Sequence, residues 1–252
     1  MVGWIIEQGF IQEGFIYGIM ALGVFITFRV LDFPDLTVDG SFPLGAALMA
    51  VFIINGYNLW FALFLAFTGG ICAGVITALI HNKLKVPNLL AGILTMIMLY
   101  SVNLRILGRP NLPLMKTETI LSQFESLLKG IMSKDMSYFI LFLIVIIMVK
   151  LLLDIFFRTD LGLVLGALGN NQQMIVSQGI NPEFIKIIGV GLSNGLVALS
   201  GAFAVQYQGF ADVGLGQGII IAGLASVMIG EFIFRSNKIV FLTLNVVCGS
   251  VI

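Results

Sequence analysis

Long apolar runs dominate the sequence, and they constrain the fold more than any other feature. A helix of about 20 apolar residues spans the hydrocarbon core of a bilayer. Only 10% of the residues are charged and 59% are hydrophobic, whereas a soluble domain carries about 25% charged residues. Apolar runs occupy residues 10–31, 42–54, 59–80, 89–107, 136–157, 184–207, 218–234 and 239–252. The sequence therefore predicts an all-α, polytopic membrane protein with about eight transmembrane helices in a single domain, residues 1–252.

The two ends of the chain carry separate information. The segment before the first run contains no basic residue, so we predict no cleavable signal peptide and expect the first run to act as its own insertion signal. The last run begins at Ile239 and is still apolar at Ile252. A helix of that length rises about 21 Å, which is less than the roughly 30 Å core. We therefore expect a partial last helix or a truncated sequence, and we favour truncation.

Composition excludes several classes of function. The net charge is zero, so no nucleic-acid partner is expected. One histidine, His81, supports neither a metal site nor a Ser-His-Asp triad, and no catalytic residue is predicted. The phosphate-binding pattern G-x-x-x-x-G-K-[ST] does not occur, so ATP hydrolysis would need a partner and no cofactor is assigned to this chain. Cys72 and Cys248 lie in apolar runs, where we expect two buried thiols rather than a disulfide.

Basic residues in the short loops predict the orientation. They occur in the turn His81–Lys85, at Arg158, and at Arg235 and Lys238. Counting the apolar runs alternately places all three positions on one side of the membrane, which the positive-inside rule assigns to the cytoplasm. The N-terminus and the polar stretch 108–135 then face the other side.

Two of the short apolar runs follow interruptions that resemble each other. The segment 31–43 contains Pro34 and Pro43, which we expect to prevent regular helix, and Asp39 or Ser41 is a candidate cap for the helix that follows. The segment 212–218 likewise combines an aspartate with glycines. Non-helical backbone at membrane depth is tolerated where it packs in protein or lines a wet cavity. The alternative is that both segments are ordinary surface turns.

The alternating count makes the two halves of the chain run in opposite directions. Matching interruptions in inverted halves are typical of a translocation site between them. Polar residues within the runs, such as Asn103, Asn194 and Glu231, either line such a pathway or only join helices. The predicted pathway consists of Asp35, Thr37, Asp39, Ser41, Gln206 and Asp212.

The polar stretch 158–183 has the local signals of a short capped helix. Asn170 or Asn171 can cap its start, and Gly179 can end it in a left-handed conformation. Asn181 and Pro182 then begin the next helix. Such an element suits docking on a cytoplasmic partner, and a plain amphipathic connector is the alternative.

A resemblance to a known family rests on this stretch and on the first interruption. The order of an arginine, three residues and a glycine, a short helix, and then Gly179-Ile180-Asn181 before a lysine resembles the permeases of branched-chain amino acid ABC importers. The segment 33–46, FPDLTVDGSFPLGA, is similar to a narrower branch with tryptophan-type and uncharacterised systems. The resemblance implies a coupling helix formed by Asn171, Gln172, Gln173, Met174, Ile175, Val176, Ser177, Gln178 and Gly179. Gln172-Gln173-Met174 replaces the family's acidic-alanine-alanine signature.

The same resemblance implies the assembly and the activity. It implies two permeases, expected to be a homodimer, with two cytoplasmic ATPases that hold ATP and Mg²⁺, and an external solute-binding protein. The solute would be an amino acid, hydrophobic or aromatic, imported across a bacterial inner membrane. The residues alone leave two other classes open: a secondary transporter or channel with inverted repeats, and a membrane scaffold without a polar cavity.

Overall fold

The computed structural model describes residues 2–114, 117–127, 134–233 and 239–252. The helices are α1 Val2–Val24, α2 Val38–Ile54, α3 Leu59–Leu84, α4 Asn88–Leu107, α5 Ile120–Leu127, α6 Lys134–Arg158, α7 Asp160–Asn170, α8 Gln172–Ser177, α9 Pro182–Gln208, α10 Ile219–Ile233 and α11 Ile239–Val251. A π-helical segment, Phe25–Val30, extends α1, and a 3₁₀ turn, Val213–Gly216, precedes α10. The basic residues Arg235 and Lys238 lie outside the described residues.

Within the described residues, six helical segments are long and apolar enough to cross a membrane: Gly9–Val30, Leu59–Leu84, Asn88–Leu107, Lys134–Arg158, Pro182–Gln208 and Val213–Ile233. Val38–Ile54 and Ile239–Val251 are shorter apolar helices. The prediction of a helical polytopic membrane protein is confirmed. One feature departs from an all-α fold, because β1 (Asn111–Pro113) pairs antiparallel with β2 (Phe210–Asp212).

Helix α9 forms the centre of the bundle and runs antiparallel to α1. The hydroxyl of Ser200 donates to the carbonyl of Ile16 at 2.6 Å, and that of Ser193 donates to Gly23 at 2.7 Å. Glycines allow α3 to approach α9 on another side: a β-carbon at Gly70 would lie 2.3 Å from the Asn194 carbonyl oxygen. Close packing of this kind is the usual source of helix association in lipid.

The outer helices repeat one pattern of contacts. Helix α9 packs against α2 and α3, and α1 packs against α10 and α11. Gly45 of α2 meets Ala198 of α9, and Gly223 of α10 meets Met20 of α1. Gly223 follows Gly45 in the sequence by the same number of residues by which Ala198 follows Met20. At these positions the contact between α10 and α1 therefore matches the contact between α2 and α9.

The expectation of two buried thiols was wrong. Cys72 is exposed on α3 and Cys248 is only partly buried on α11. An apolar run does not distinguish the face of a helix that packs in protein from the face that meets lipid, because the protein interior and the lipid chains are both apolar.

Candidate functional site

The chain is not helical between α1 and α2, over residues 31–37, which we call the first break. Asp32 adopts a left-handed conformation with φ 51°, and Pro34 follows it. Helix α2 then begins at Val38, earlier than expected, and includes Pro43. The expectation that Pro43 prevents helix was therefore wrong. A proline removes one backbone hydrogen bond, here the one to the carbonyl of Asp39, and Gly216 packs against that carbonyl.

The first break is held by buried side chains from three helices. The Asp35 carboxylate accepts from the backbone N–H of Thr37 at 2.9 Å and from the Asn194 amide at 2.6 Å. The Ser41 hydroxyl donates to Asn194 Oδ1 at 2.6 Å, and the Thr37 and Thr77 hydroxyls are 2.7 Å apart. All five side chains are fully buried. Asn194 is thus an interhelical hydrogen-bonding residue, one of the two roles that the sequence allowed.

The second break comprises residues 209–218, between α9 and α10. Gly209 and Gly218, at its ends, have φ of 77° and 79°, a conformation that favours glycine. Asp212 accepts from the backbone N–H of Gly214 at 2.6 Å and from the Asn111 amide at 3.2 Å. Pairing of β2 with β1 satisfies part of its backbone.

Asp39 joins α2 to the second break. Asp39 or Ser41 was expected to cap α2, but α2 begins before both residues, and Thr37 occupies the N-cap position without a capping hydrogen bond from its side chain. The Asp39 carboxylate instead accepts from the backbone N–H groups of Gly218 and Ile220, at 3.1 and 3.0 Å. It therefore caps the start of α10, where the partial positive charge of the helix favours a carboxylate. This long-range contact could not be found from local sequence patterns.

A cavity of about 340 Å³ lies beside Asp39, between α2, α4 and the second break; we call it the α2–α4 cavity. It is lined by Asp39, Gly40, Pro43, Met96, Ile97, Tyr100, Asn103, Val213, Gln217 and Gly218. Most of these side chains are apolar, with a few polar groups among them. This combination is typical of small-molecule sites, which have volumes of about 300–1,000 Å³.

The other predicted pathway residues lie elsewhere. Asp35, Thr37 and Ser41 are in the buried network of the first break. Gln206 is also buried, and its Oε1 accepts from the backbone N–H of Ile120 at 2.9 Å. Asp212 lies on the second break. Asp39 is thus the one of these six residues that lines the α2–α4 cavity. Sequence reasoning missed Thr77, because a lone threonine within an apolar run carries no distinguishing signal.

The polar stretch after α6 folds into two short helices, α7 and α8. The Asn171 side chain accepts from the backbone N–H groups of Gln173 and Met174, as a capping residue does. Gly179 has φ 80°, and Asn181 caps α9 by accepting from Glu183. These three local predictions are confirmed. Within α8, Ile175 is buried, whereas Met174 and Val176 are exposed.

Comparison with known proteins decides the family. Residues 8–252 match the family model described as a branched-chain amino acid transport system permease component. The chain belongs to this family. It is 43% identical over 240 residues to a tyrosine transport system permease protein of Clostridioides difficile, covering 95% of this chain and 78% of that relative. It is also 36% identical over 221 residues to an uncharacterised protein of Rickettsia prowazekii, covering 86% of this chain and 74% of that protein. No solved structure matches it significantly.

Membership of the family decides among the classes that the sequence left open. The chain is the permease component of an ABC-type amino acid transport system, and not an enzyme, a secondary transporter or a scaffold. For a permease component, the expected functional features are a path for the solute and a surface for a separate ATPase. The α2–α4 cavity and the segment around α8 are the candidates for these two features.

Proposed function

We propose that this permease imports an amino acid with an aromatic or apolar side chain, with L-tyrosine as the first candidate, across a bacterial inner membrane. The observation that carries the proposal is the α2–α4 cavity, which is largely apolar with a few polar groups and lies between α2, α4 and the second break. The family description supports the solute class. The name of the Clostridioides difficile relative, 43% identical, supports the specific candidate.

The permease works in this proposal with a second copy of itself, two cytoplasmic ATPases and an external solute-binding protein. ATP and Mg²⁺ belong to the ATPases. Eight helices cross the membrane in this proposal: the six long segments and the shorter apolar helices α2 and α11. Helices α1–α3 and α9–α11 form two inverted units, which the matched contacts of Gly45 and Gly223 support. The N-terminus faces outward, and the loop 158–183 faces the cytoplasm.

The coupling element in this proposal is the segment Asn171–Gly179, centred on α8. Its cap at Asn171 and its left-handed end at Gly179 give it a fixed length and direction. The buried side chain of Ile175 anchors it to the membrane-spanning bundle. Met174 and Val176, which are 46% and 53% exposed, present an apolar contact to the partner. Exposed apolar side chains on a short helix are a suitable surface for another protein.

The six predicted pathway residues receive different tasks in this proposal. Asp39 contacts the solute, since it lines the cavity. Asp35, Thr37 and Ser41 keep the first break in place when the helices around it move. Gln206 holds the segment that contains Ile120 over the path, and Asp212 holds the segment that contains Asn111 there.

The test of the transport proposal uses the permease, its ATPase and its binding protein together in proteoliposomes. We expect uptake of labelled L-tyrosine that requires ATP and is absent without the binding protein. Labelled L-leucine and L-tryptophan define the selectivity in the same vesicles. If none of these three amino acids is taken up in an ATP-dependent manner, the proposed solute class is refuted.

The coupling role has its own test with a matched control. Met174→Glu introduces charge on the exposed apolar side of α8, and we expect it to abolish co-purification of the ATPase and ATP-dependent uptake. Asn170→Glu introduces the same charge at the exposed end of α7, outside the proposed contact, and both readouts should persist. Retention of the ATPase by the Met174→Glu permease would show that α8 is only a connector.

A further inference from the structure

Asn103 lies in the wall of the α2–α4 cavity, and its side-chain amide is only partly hydrogen-bonded. Its Nδ2 donates to the backbone carbonyl of Gly40 at 3.0 Å. Its Oδ1 is buried and has no hydrogen-bond partner among the residues that the structure describes. Buried acceptors without a donor are rare in native proteins, because losing water without replacement is unfavourable. The cavity next to Asn103 is where a missing donor can enter.

Asp39 is the second acceptor in the same cavity. Its carboxylate accepts from two backbone N–H groups, of Gly218 and Ile220, and the residue is only partly buried. Within the described part of the chain, the ion pairs are Arg29–Glu231, Lys83–Glu183, Lys85–Glu183 and Lys150–Asp154, and none of them involves Asp39. Among the described residues, the lining of the cavity therefore includes a carboxylate without a cationic partner and an amide oxygen without a donor.

These two acceptors define the chemistry of a ligand. A primary ammonium group carries one positive charge and three N–H donors, so it matches both a carboxylate and an amide oxygen. The surrounding wall, including Met96, Ile97 and Val213, is apolar and suits an apolar or aromatic side chain. The carboxylate of an amino acid would be unfavourable beside Asp39, because like charges repel.

We propose that the α2–α4 cavity is the substrate site of this permease, and that Asp39 and Asn103 Oδ1 bind the α-ammonium group of the amino acid. This inference rests on the proposed function and deepens it. The permease itself then selects amino acids over carboxylic acids of the same shape, in addition to any selection by the binding protein.

Cysteine protection tests this site without the binding protein. Ile97→Cys is introduced in a background with Cys72→Ser and Cys248→Ala, and the permease–ATPase complex is treated with a maleimide. L-tyrosine should slow the labelling about tenfold or more, whereas 3-(4-hydroxyphenyl)propionate, which lacks only the ammonium group, should not. Ile144→Cys, on the exposed side of α6, is the control and should label equally in all conditions. Met96→Cys repeats the measurement from a neighbouring wall position.

Substitutions at Asn103 separate binding from structure. Asn103→Leu and Asn103→Asp both lose the donor to Gly40, but only Asn103→Leu loses the acceptor. Protection by L-tyrosine should therefore disappear in Asn103→Leu and persist in Asn103→Asp. Equal protection by the two compounds, no protection by either, or equal loss in both variants would overturn the site. If the site is overturned but the proteoliposomes still take up L-tyrosine, the proposed function stands and only this inference fails. If L-tyrosine protects the cysteine but is not taken up, the site is supported and the transport proposal is rejected.

Discussion

The two breaks solve the same problem with different chemistry. Each leaves non-helical backbone between two apolar helices, and such backbone must find partners within the protein. The first break uses buried side chains, with Asp35 and Asn194 at its centre. The second break uses backbone instead, with left-handed glycines at both ends and a short strand pair. The first is therefore tied to the packing of neighbouring helices, whereas the second depends on local conformation, on the strand pair with β1 and on the hydrogen bonds to Asp39.

This difference suggests that the two breaks have different roles in the proposed transport cycle. A break that is fixed by a buried network moves as a unit with α3 and α9, which supply Thr77 and Asn194. A break that is fixed by left-handed glycines and by partly buried carboxylates can change its shape locally. The substitutions below test whether the two breaks differ in this way.

The largest expected effect comes from two glycines that occupy matching positions, Gly45 and Gly223. An added β-carbon at Gly45 would lie 1.8 Å from the Ala198 carbonyl oxygen, whereas at Gly223 it would lie 2.8 Å from the sulfur of Met20. Backbone cannot give way as a flexible methionine can. We expect Gly45→Ala to lower the free energy of unfolding by about 3 kcal/mol and Gly223→Ala by about 1 kcal/mol. Apparent melting temperatures in detergent measure the difference, and equal losses would contradict it.

The next effect concerns the side chains that hold each break. Asn194→Leu removes a donor to Asp35 and the acceptor of Ser41, leaving buried groups unpaired, and should cost about 2–3 kcal/mol. Asp212→Ala removes a cap in the second break, which is only partly buried, and should cost about 1 kcal/mol. Thermal unfolding of the two variants gives the comparison. A larger loss for Asp212→Ala would reverse our assignment of the more strongly held break.

A smaller effect should appear at a distance from its cause. Asp39→Ala removes the cap of α10 and should cost about 1 kcal/mol. Because its hydrogen bonds go to Gly218 and Ile220, exchange of backbone amides should accelerate in peptides covering 213–222. Hydrogen-exchange mass spectrometry reads this directly. Faster exchange confined to the start of α2 would show that Asp39 stabilises its own helix and not the second break.

The smallest effect concerns Gly218 and Gly40, where we expect the alanine and asparagine variants to rank in opposite orders of stability. Gly218 has φ 79° and open space around it, so Ala should cost about 1 kcal/mol and Asn less, because Asn tolerates a left-handed backbone. A β-carbon at Gly40 would lie 3.0 Å from atoms of Leu99, so the larger Asn should be worse than Ala there. Melting temperatures of the four variants give the two orders. The same order at both positions would contradict this explanation.

Local signals made much of the fold predictable. Apolar length located the membrane helices to within a few residues, as with 89–107 for α4 and 184–207 for α9. The caps at Asn171 and Asn181 and the left-handed Gly179 were predictable too, because each depends on contacts within a few residues. The early start of α2 was not, since the cost of Pro43 depends on what fills the space beside the freed carbonyl.

The sequence alone determined that this protein lives in lipid, that two of its helices are interrupted, and that it resembles a permease. Those properties follow from composition and from short-range patterns, which tertiary contacts do not change. Only the tertiary structure decided that Asp39 caps α10, that Asn194 binds Asp35, and that Asn103 borders a cavity. Each of these depends on two segments far apart in the chain, and the distance between such segments is set by how helices pack, not by either segment alone.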